Sequence, residues 1–397
     1  MTKAVVVGGG IVGCATAYFL AREGVQVTLL EQERVAHGAS GRNPGFVWLH
    51  TRNPGLALEL ALAGRQLYPE LVVELDPFEF RESGGLVFFL TPEQGQVIEE
   101  FVEAREVDGL EMELIDADEV RRLVPPIRSD VLGASYCPLD AHINTPLLVH
   151  ALADGARRHG ADIREGTAAE EVRPGSVRTG NGTLDADVVV VAAGVWTRAL
   201  LESVGIDAPI GAERLQVVAT APIPERIEPV VYGPLAAKQY DLFRNLPSYD
   251  ESNFVSEYED PSSGVELLEL VAQRADGSVL LGCPMDYPAT LDMKSTLAGL
   301  AMTTRAIVED FPGLRQAPVE RTWAGLLPFT SDTLPLVGEL EPGLWIASGH
   351  VYGNAVGPIT GKLVAAAVTG HEPEIDLSEC RFDRDLSQVT TEAATRW

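Results

Sequence analysis

Residues 3–8 (KAVVVG) form a short β-branched apolar run, which predicts a buried strand. Apolar residues resume at 11–20 and again at 25–30, predicting a helix and then a second strand closed by Glu31. Helical spacing recurs at 53–75, 92–108, 116–123, from about 146 to 158, at 293–310, and after a glycine-rich stretch to about 368. Strand patterns appear at 84–90, 161–165, 187–194 and 215–221, within 343–349, and as a hairpin at 267–273 and 278–282 around Asp276-Gly277. A further hairpin-like segment begins at Glu171-Val172-Arg173, with Asn181-Gly182 as a turn signal. The block from 79 reads as the start of a second domain. The chain then returns to the first at about 136 and enters a β-rich stretch at about 215.

The opening stretch has the parts needed to hold a dinucleotide. Gly8, Gly10 and Gly13 give a tight turn, a close approach for a pyrophosphate, and room for the helix on the strand. The helix N-terminus then offers N–H groups and a partial positive charge, and Glu31 ends the second strand where a carboxylate reaches a ribose diol. Next comes a polar loop, His37-Gly-Ala-Ser-Gly-Arg-Asn-Pro-Gly45, where another βα unit would be usual, so the cofactor expected is a longer one whose second half has its own contacts. Ser40, Arg42 and Asn43 supply donors there, with Gly41 and Gly45 permitting close approach. The run Gly349-His-Val-Tyr-Gly-Asn-Ala-Val-Gly-Pro-Ile-Thr-Gly361 sets a second group of glycines before a helix N-terminus. Residues 235–264 are long, polar and aromatic, either a binding loop or lid or a disordered excursion.

Composition narrows the partners. At 397 residues the chain has room for two domains, and 58 acidic against 30 basic residues give a formal charge of −28, which disfavours nucleic acid and anionic membranes. No apolar run is long enough to cross a bilayer, so no integral membrane segment is expected. The first residues enter a strand without a basic and apolar leader, and a cytoplasmic location is the expectation. Cys14, Cys137, Cys283 and Cys380 are scattered, so no metal site or disulfide framework is expected. Cys283 is the one cysteine weighed as an attachment point for a covalent cofactor.

Six segments in order resemble the superfamily of FAD-dependent amine oxidoreductases that includes D-amino acid, sarcosine and glycine oxidases. They are VVVGGGIVG with Glu31, GASGRNPG, EEV ending at Val172, VVVVAAGVW, TSDTLPLVG and ASGHVYGNAVGPITG. The resemblance implies an α/β fold: a discontinuous Rossmann-like FAD-binding domain (1–78, 136–214 and 321–370) plus an α+β substrate domain with a mixed or antiparallel sheet (79–135 and 215–320). A charged surface tail follows at 371–397. It implies FAD contacts from Gly8, Gly10, Ile11, Val12, Gly13, Glu31 and Gln32 at the ADP end, with Val172 at the adenine. Ser40, Gly41, Arg42 and Asn43 are expected toward the pyrophosphate and flavin, Ala193, Gly194 and Trp196 beside the cofactor, and Leu327, Gly349, His350, Gly353, Asn354 and Ala355 near the flavin ring.

The activity implied is oxidation of a C–N bond in an amino acid or a secondary amine by hydride transfer to the flavin. The electrons pass on to oxygen or a quinone-type acceptor. Many relatives carry an arginine in a W-G-x-R-P context, where this chain has Leu327 within Trp323-Ala-Gly-Leu-Leu-Pro328. Arg52, Arg81 and Arg244 are the alternative candidates for a substrate carboxylate. Tyr352 and His50 complete the candidate catalytic set, with Trp48 beside them. Oxidation of a 2-hydroxy acid and a flavin-binding subunit of a multi-chain amine dehydrogenase are the alternatives, and a plain NAD-binding protein is the weakest.

Overall fold

In the computed structural model, which describes residues 2–259, 261–384 and 386, two sheets organise the chain. The first has six strands in the order Leu336–Glu341, Leu344–Ser348, Val188–Val191, Lys3–Val7, Gln26–Leu30 and Asp162–Arg164. All neighbours pair in parallel except the first two, which are antiparallel. Helix Ile11–Arg22 packs against helices Thr145–Arg158 and Gly353–Val368, which explains why its every residue from Ile11 to Ala21 is buried and its apolar run shows no polar stripe. Two glycines set the spacing. A Cβ on Gly13 would lie 2.0 Å from the Gly8 carbonyl oxygen, and one on Gly361 would lie 2.6 Å from Ala15 Cβ.

The second sheet has eight strands in the order Val319–Phe329, Gly211–Thr220, Val279–Asp286, Glu266–Gln273, Val230–Tyr232, Gly85–Phe89, Gly133–Cys137 and Glu113–Asp116. Only the pairing of Val230–Tyr232 with Gly85–Phe89 is parallel. A three-stranded antiparallel sheet spans Ala169–Asp185, where the hairpin-like segment was expected. The fold is therefore α/β with mixed sheets.

Three expectations need correction. Val319–Phe329 is an eleven-residue edge strand of the eight-stranded sheet, so it crosses the expected boundary between 320 and 321. Its exposed polar start, with Gly325 and Pro328 inside it, hides the strand pattern, and an edge position tolerates the proline. Residues 235–259 are no structureless excursion. Short helices at Ala236–Gln239, Asp241–Arg244 and Glu251–Phe254 bury Tyr240, Phe243 and Phe254. In the tail, Ile375 and Cys380 are buried and Arg384 pairs with Asp332, while the surface position expected for 385 and 387–397 lies outside the described residues. No helix among the described residues is long and apolar enough to cross a membrane.

Candidate active site

A cavity of about 350 Å³ opens at the C-terminal ends of the parallel strands. Gly8, Gly10, Ile11, Val12, Glu31, Gln32, Ser40 and Asn43 line it from the first half of the chain, and Ala193, Gly194, Trp196, Leu327, Gly349, His350, Gly353 and Asn354 from the second. The Glu31 carboxylate accepts the Gly9 N–H at 2.7 Å and the Glu33 N–H at 2.8 Å, which fixes it at the strand end with lone pairs still open to hydroxyls. Ser40 Oγ accepts the Ile11 N–H at 3.0 Å. Neither helix has an N-cap side chain at Gly10 or Tyr352; Ser40 takes the Ile11 N–H, and the other first-turn N–H groups of the helices starting at Ile11 and Gly353 lie with their dipoles at the cavity end. His350 is buried, its Nε2 3.0 Å from Thr360 Oγ1, and burial lowers its pKa to about 3, so it is neutral and no base.

Five expected contacts do not line this cavity. Gly13 packs on Gly8 rather than lining the cavity. Gly41 closes the loop, since a Cβ there would lie 1.8 Å from Ala36 O. Arg42 donates to Gly38 O at 3.3 Å, and its backbone carbonyl accepts Trp323 Nε1–H at 2.9 Å, so it braces the loop against the edge strand. Val172 is buried in the core, and neighbouring Ala169 and Glu170 line the cavity in its place. Ala355 faces a second cavity.

That second cavity, of about 90 Å³, lies between the eight-stranded sheet and the segments 43–48 and 351–355, and shares Asn43, Leu327, Gly353 and Asn354 with the first. Its remaining wall comes from Pro44, Phe46 and Trp48, from strand residues Leu215, Tyr232, Leu268, Leu270, Cys283 and Met285, and from Gln239, Tyr240, Val351, Tyr352 and Ala355. Gln239, Tyr232 and the strand residues were not singled out as substrate-facing in the sequence, because only strand pairing brings 215, 232, 268 and 285 together. Asn354 ties the shared wall. Its Nδ2 donates to Asn43 Oδ1 at 2.8 Å and Phe46 O at 3.0 Å, its Oδ1 accepts Thr145 Oγ1–H at 3.1 Å, and its backbone carbonyl accepts Tyr68 O–H at 2.6 Å.

The candidate catalytic set divides. Tyr352 lines the second cavity, with the fully buried Arg52 guanidinium against its ring face. Arg52 Nη2 donates to Thr51 Oγ1 at 3.0 Å, while its Nε and Nη1 have no hydrogen-bond partner among the described residues. Desolvation lowers its pKa to about 9. Arg244 lines neither cavity and pairs with Asp241, and Arg81 donates to the backbone oxygen of Gln273. His50 is also outside the cavities. It is stacked on Trp48 and Phe101, with Nδ1 3.1 Å from Asp140 Oδ2 and Nε2 2.7 Å from Ser135 Oγ. Burial lowers its pKa against the opposing pull of Asp140. Cys137 lies within 4.8 Å of His50 and Asp140, but burial pushes its thiol up and both imidazole nitrogens are engaged, so the trio reads as a packing element.

The first cavity fits a flavin dinucleotide on its own geometry. A Cβ on Gly194, at φ +55°, would meet nothing within 4 Å, and one on Gly353 only Ile11 Cγ2 at 3.6 Å, so these glycines keep space open for a ligand. Comparison with known proteins agrees. Glycine oxidase of Bacillus licheniformis is 27% identical over 380 residues, 92% of this chain and 93% of that protein. Mitochondrial dimethylglycine dehydrogenase of Rattus norvegicus is 27% identical over 99% of this chain but only 46% of its own length. The crystal structure of glycine oxidase from Geobacillus kaustophilus shares the fold with a TM-score of 0.81 at 24% identity, covering 97% of this chain and 100% of that one. The family described as FAD dependent oxidoreductase matches residues 3–367, a span that takes in both cavities, and the chain belongs to it, with FAD as its cofactor.

Proposed function

We propose that the protein is an enzyme that oxidises the C–N bond of an amine or amino acid to an imine, which water then splits to a carbonyl compound and an amine. The observation that carries this reading is the wall shared by the two cavities. Asn43, Leu327, Gly353 and Asn354 border both, so a small molecule in the second lies directly against whatever ring occupies the near end of the first. Relatives named glycine oxidase and dimethylglycine dehydrogenase support the same chemistry. FAD, when bound, accepts the hydride from the carbon next to nitrogen.

The residues of the chain do the rest. The N-terminus of helix Gly353–Val368 favours negative charge that builds up beside it. Asn354 fixes that helix end to Asn43 and Phe46, which holds the two cavities in register. Tyr352, Trp48 and Tyr240 give the second cavity an aromatic wall. The six-stranded sheet would carry the cofactor and the eight-stranded sheet the substrate, with oxygen or a quinone-type carrier as final acceptor and the cytoplasm as the setting. Anaerobic titration of the purified yellow protein with a panel of amines and 2-hydroxy acids tests the proposal. Bleaching by amines is expected. Bleaching by hydroxy acids alone, or a colourless protein that releases no flavin on denaturation, would overturn it.

A further inference from the structure

The second cavity has a definite chemistry. No Asp, Glu, Lys, Arg or His side chain lines it among the described residues. Its walls are alkyl and aromatic, chiefly Leu215, Leu268, Leu270, Met285, Leu327 and Phe46. One buried polar atom stands out. Gln239 is 2% exposed, and its Oε1 has no hydrogen-bond partner among the described residues. Its Nε2 donates to Glu266 Oε2 at 3.3 Å, and because a carboxylate only accepts, that bond fixes the amide with its oxygen as the available acceptor. A buried acceptor without a donor is costly, and the cost is removed when a ligand brings an N–H to it.

Charge around the cavity favours the same ligand. Glu213 stands two residues before Leu215 and opposite Leu327 in the strand register, close enough for its carboxylate to raise the Cys283 thiol pKa along with burial. Glu266 lies behind Gln239. The cation on the other side, Arg52, is fully buried against Tyr352 and does not line the cavity. We propose that the substrate is an amine without a carboxylate, whose nitrogen donates to Gln239 Oε1 and whose alkyl or aryl substituent fills the apolar pocket. This inference rests on the C–N reading above and adds the substrate class and a specificity-determining residue to it.

Two ligands that have no hydrogen on the carbon bearing nitrogen isolate binding from reaction. tert-Butylamine and 2-aminoisobutyrate differ only in a methyl group against a carboxylate, and neither can be oxidised at that carbon. With the holoenzyme, calorimetry and perturbation of the flavin spectrum should show tert-butylamine binding at least about tenfold tighter. Gln239→Leu should weaken that binding about tenfold with flavin content unchanged, and Gln239→Glu should restore it. Tighter binding of 2-aminoisobutyrate, or equal affinities in Gln239→Leu and the parent, would overturn the proposal. If Arg52→Gln removed a preference for 2-aminoisobutyrate, the carboxylate would belong on Arg52. Reduction assays separate the two readings: benzylamine should bleach the flavin faster than phenylglycine. Failure of both to bleach it while tert-butylamine still binds better would defeat the C–N chemistry and leave the ligand class standing.

Discussion

The two cavities touch, yet they are built from different material. The first is a backbone site. Glycines, two helix N-termini and one carboxylate pinned by two N–H groups define it, and most of these parts come from short contiguous stretches. The second is a side-chain site, assembled from one residue here and two there on strands far apart in sequence. A backbone site suits a cofactor that stays the same across relatives. A side-chain site can change its substrate without disturbing the fold.

If that contrast is right, damage to each cavity should be separable from damage to the other. The largest effect is expected from Gly13→Val. Its Cβ cannot fit 2.0 Å from Gly8 O, so helix Ile11–Arg22 must leave the sheet. Flavin per chain after gel filtration should fall to near zero, and retention of full flavin would refute the assigned role of that contact.

Asp140→Ala comes next and strikes the other region. Asp140 is fully buried and accepts the Leu49 N–H at 2.6 Å while holding His50 Nδ1, so its removal orphans several donors behind Trp48. A loss of about 3–5 kcal/mol in urea unfolding is expected. A change below about 1 kcal/mol would show that the support of the second cavity lies elsewhere.

A smaller effect should follow pH. On strand Glu266–Gln273, Leu268 and Leu270 face the second cavity, while Glu269 between them points the other way and is buried; Asp310 ends the helix Leu297–Asp310. Burial, and for Glu269 also the nearby Asp310 charge, raises both carboxyls, Asp310 to about 6. For Asp310 the raised folded-state pKa means that the folded protein holds a proton the unfolded chain has lost between about pH 4 and 6. The contribution is therefore full below pH 4 and is lost as pH rises through 6. Stability should fall by on the order of 2 kcal/mol across that window, and Asp310→Asn should flatten the curve. Identical pH profiles for parent and variant would remove Asp310 from the account.

The mildest change is Glu31→Gln. One amide oxygen still accepts a backbone N–H, so flavin affinity should drop only about tenfold, with ligand preference in the second cavity unchanged. Fluorescence of released flavin on dilution measures the first, and tert-butylamine titration the second.

The same contrast explains what the sequence made legible. Gly8, Gly10 and Glu31 signal their roles because turn, helix end and strand end are local in the chain. Arg42 and Val172 are less legible: residue type shows that a guanidinium can reach a phosphate, and the resemblance sets Val172 at the adenine, but neither shows that Arg42 Nη1 donates to Gly38 O, that Trp323 holds the Arg42 carbonyl, or that the Val172 side chain is buried. His50 is a catalytic candidate from its place after the polar loop, whereas Asp140 and Ser135, about ninety residues away, take both its nitrogens. Gln239 gave no signal at all, since an ordinary glutamine becomes a recognition group only once Glu266 has fixed its amide.

Asn354 also has a consequence in time. Its bond to Asn43 spans 311 residues, and its other partners begin at Phe46, Tyr68 and Thr145. On a ribosome adding about 5–20 residues per second, the glycine turn emerges about 15–60 s before the residue that completes the wall around it. The nascent chain must therefore keep the apolar helix Ile11–Arg22 without its partner Gly353–Val368 for most of its synthesis. A helix made late in synthesis is thus the one that covers the helix of the first motif.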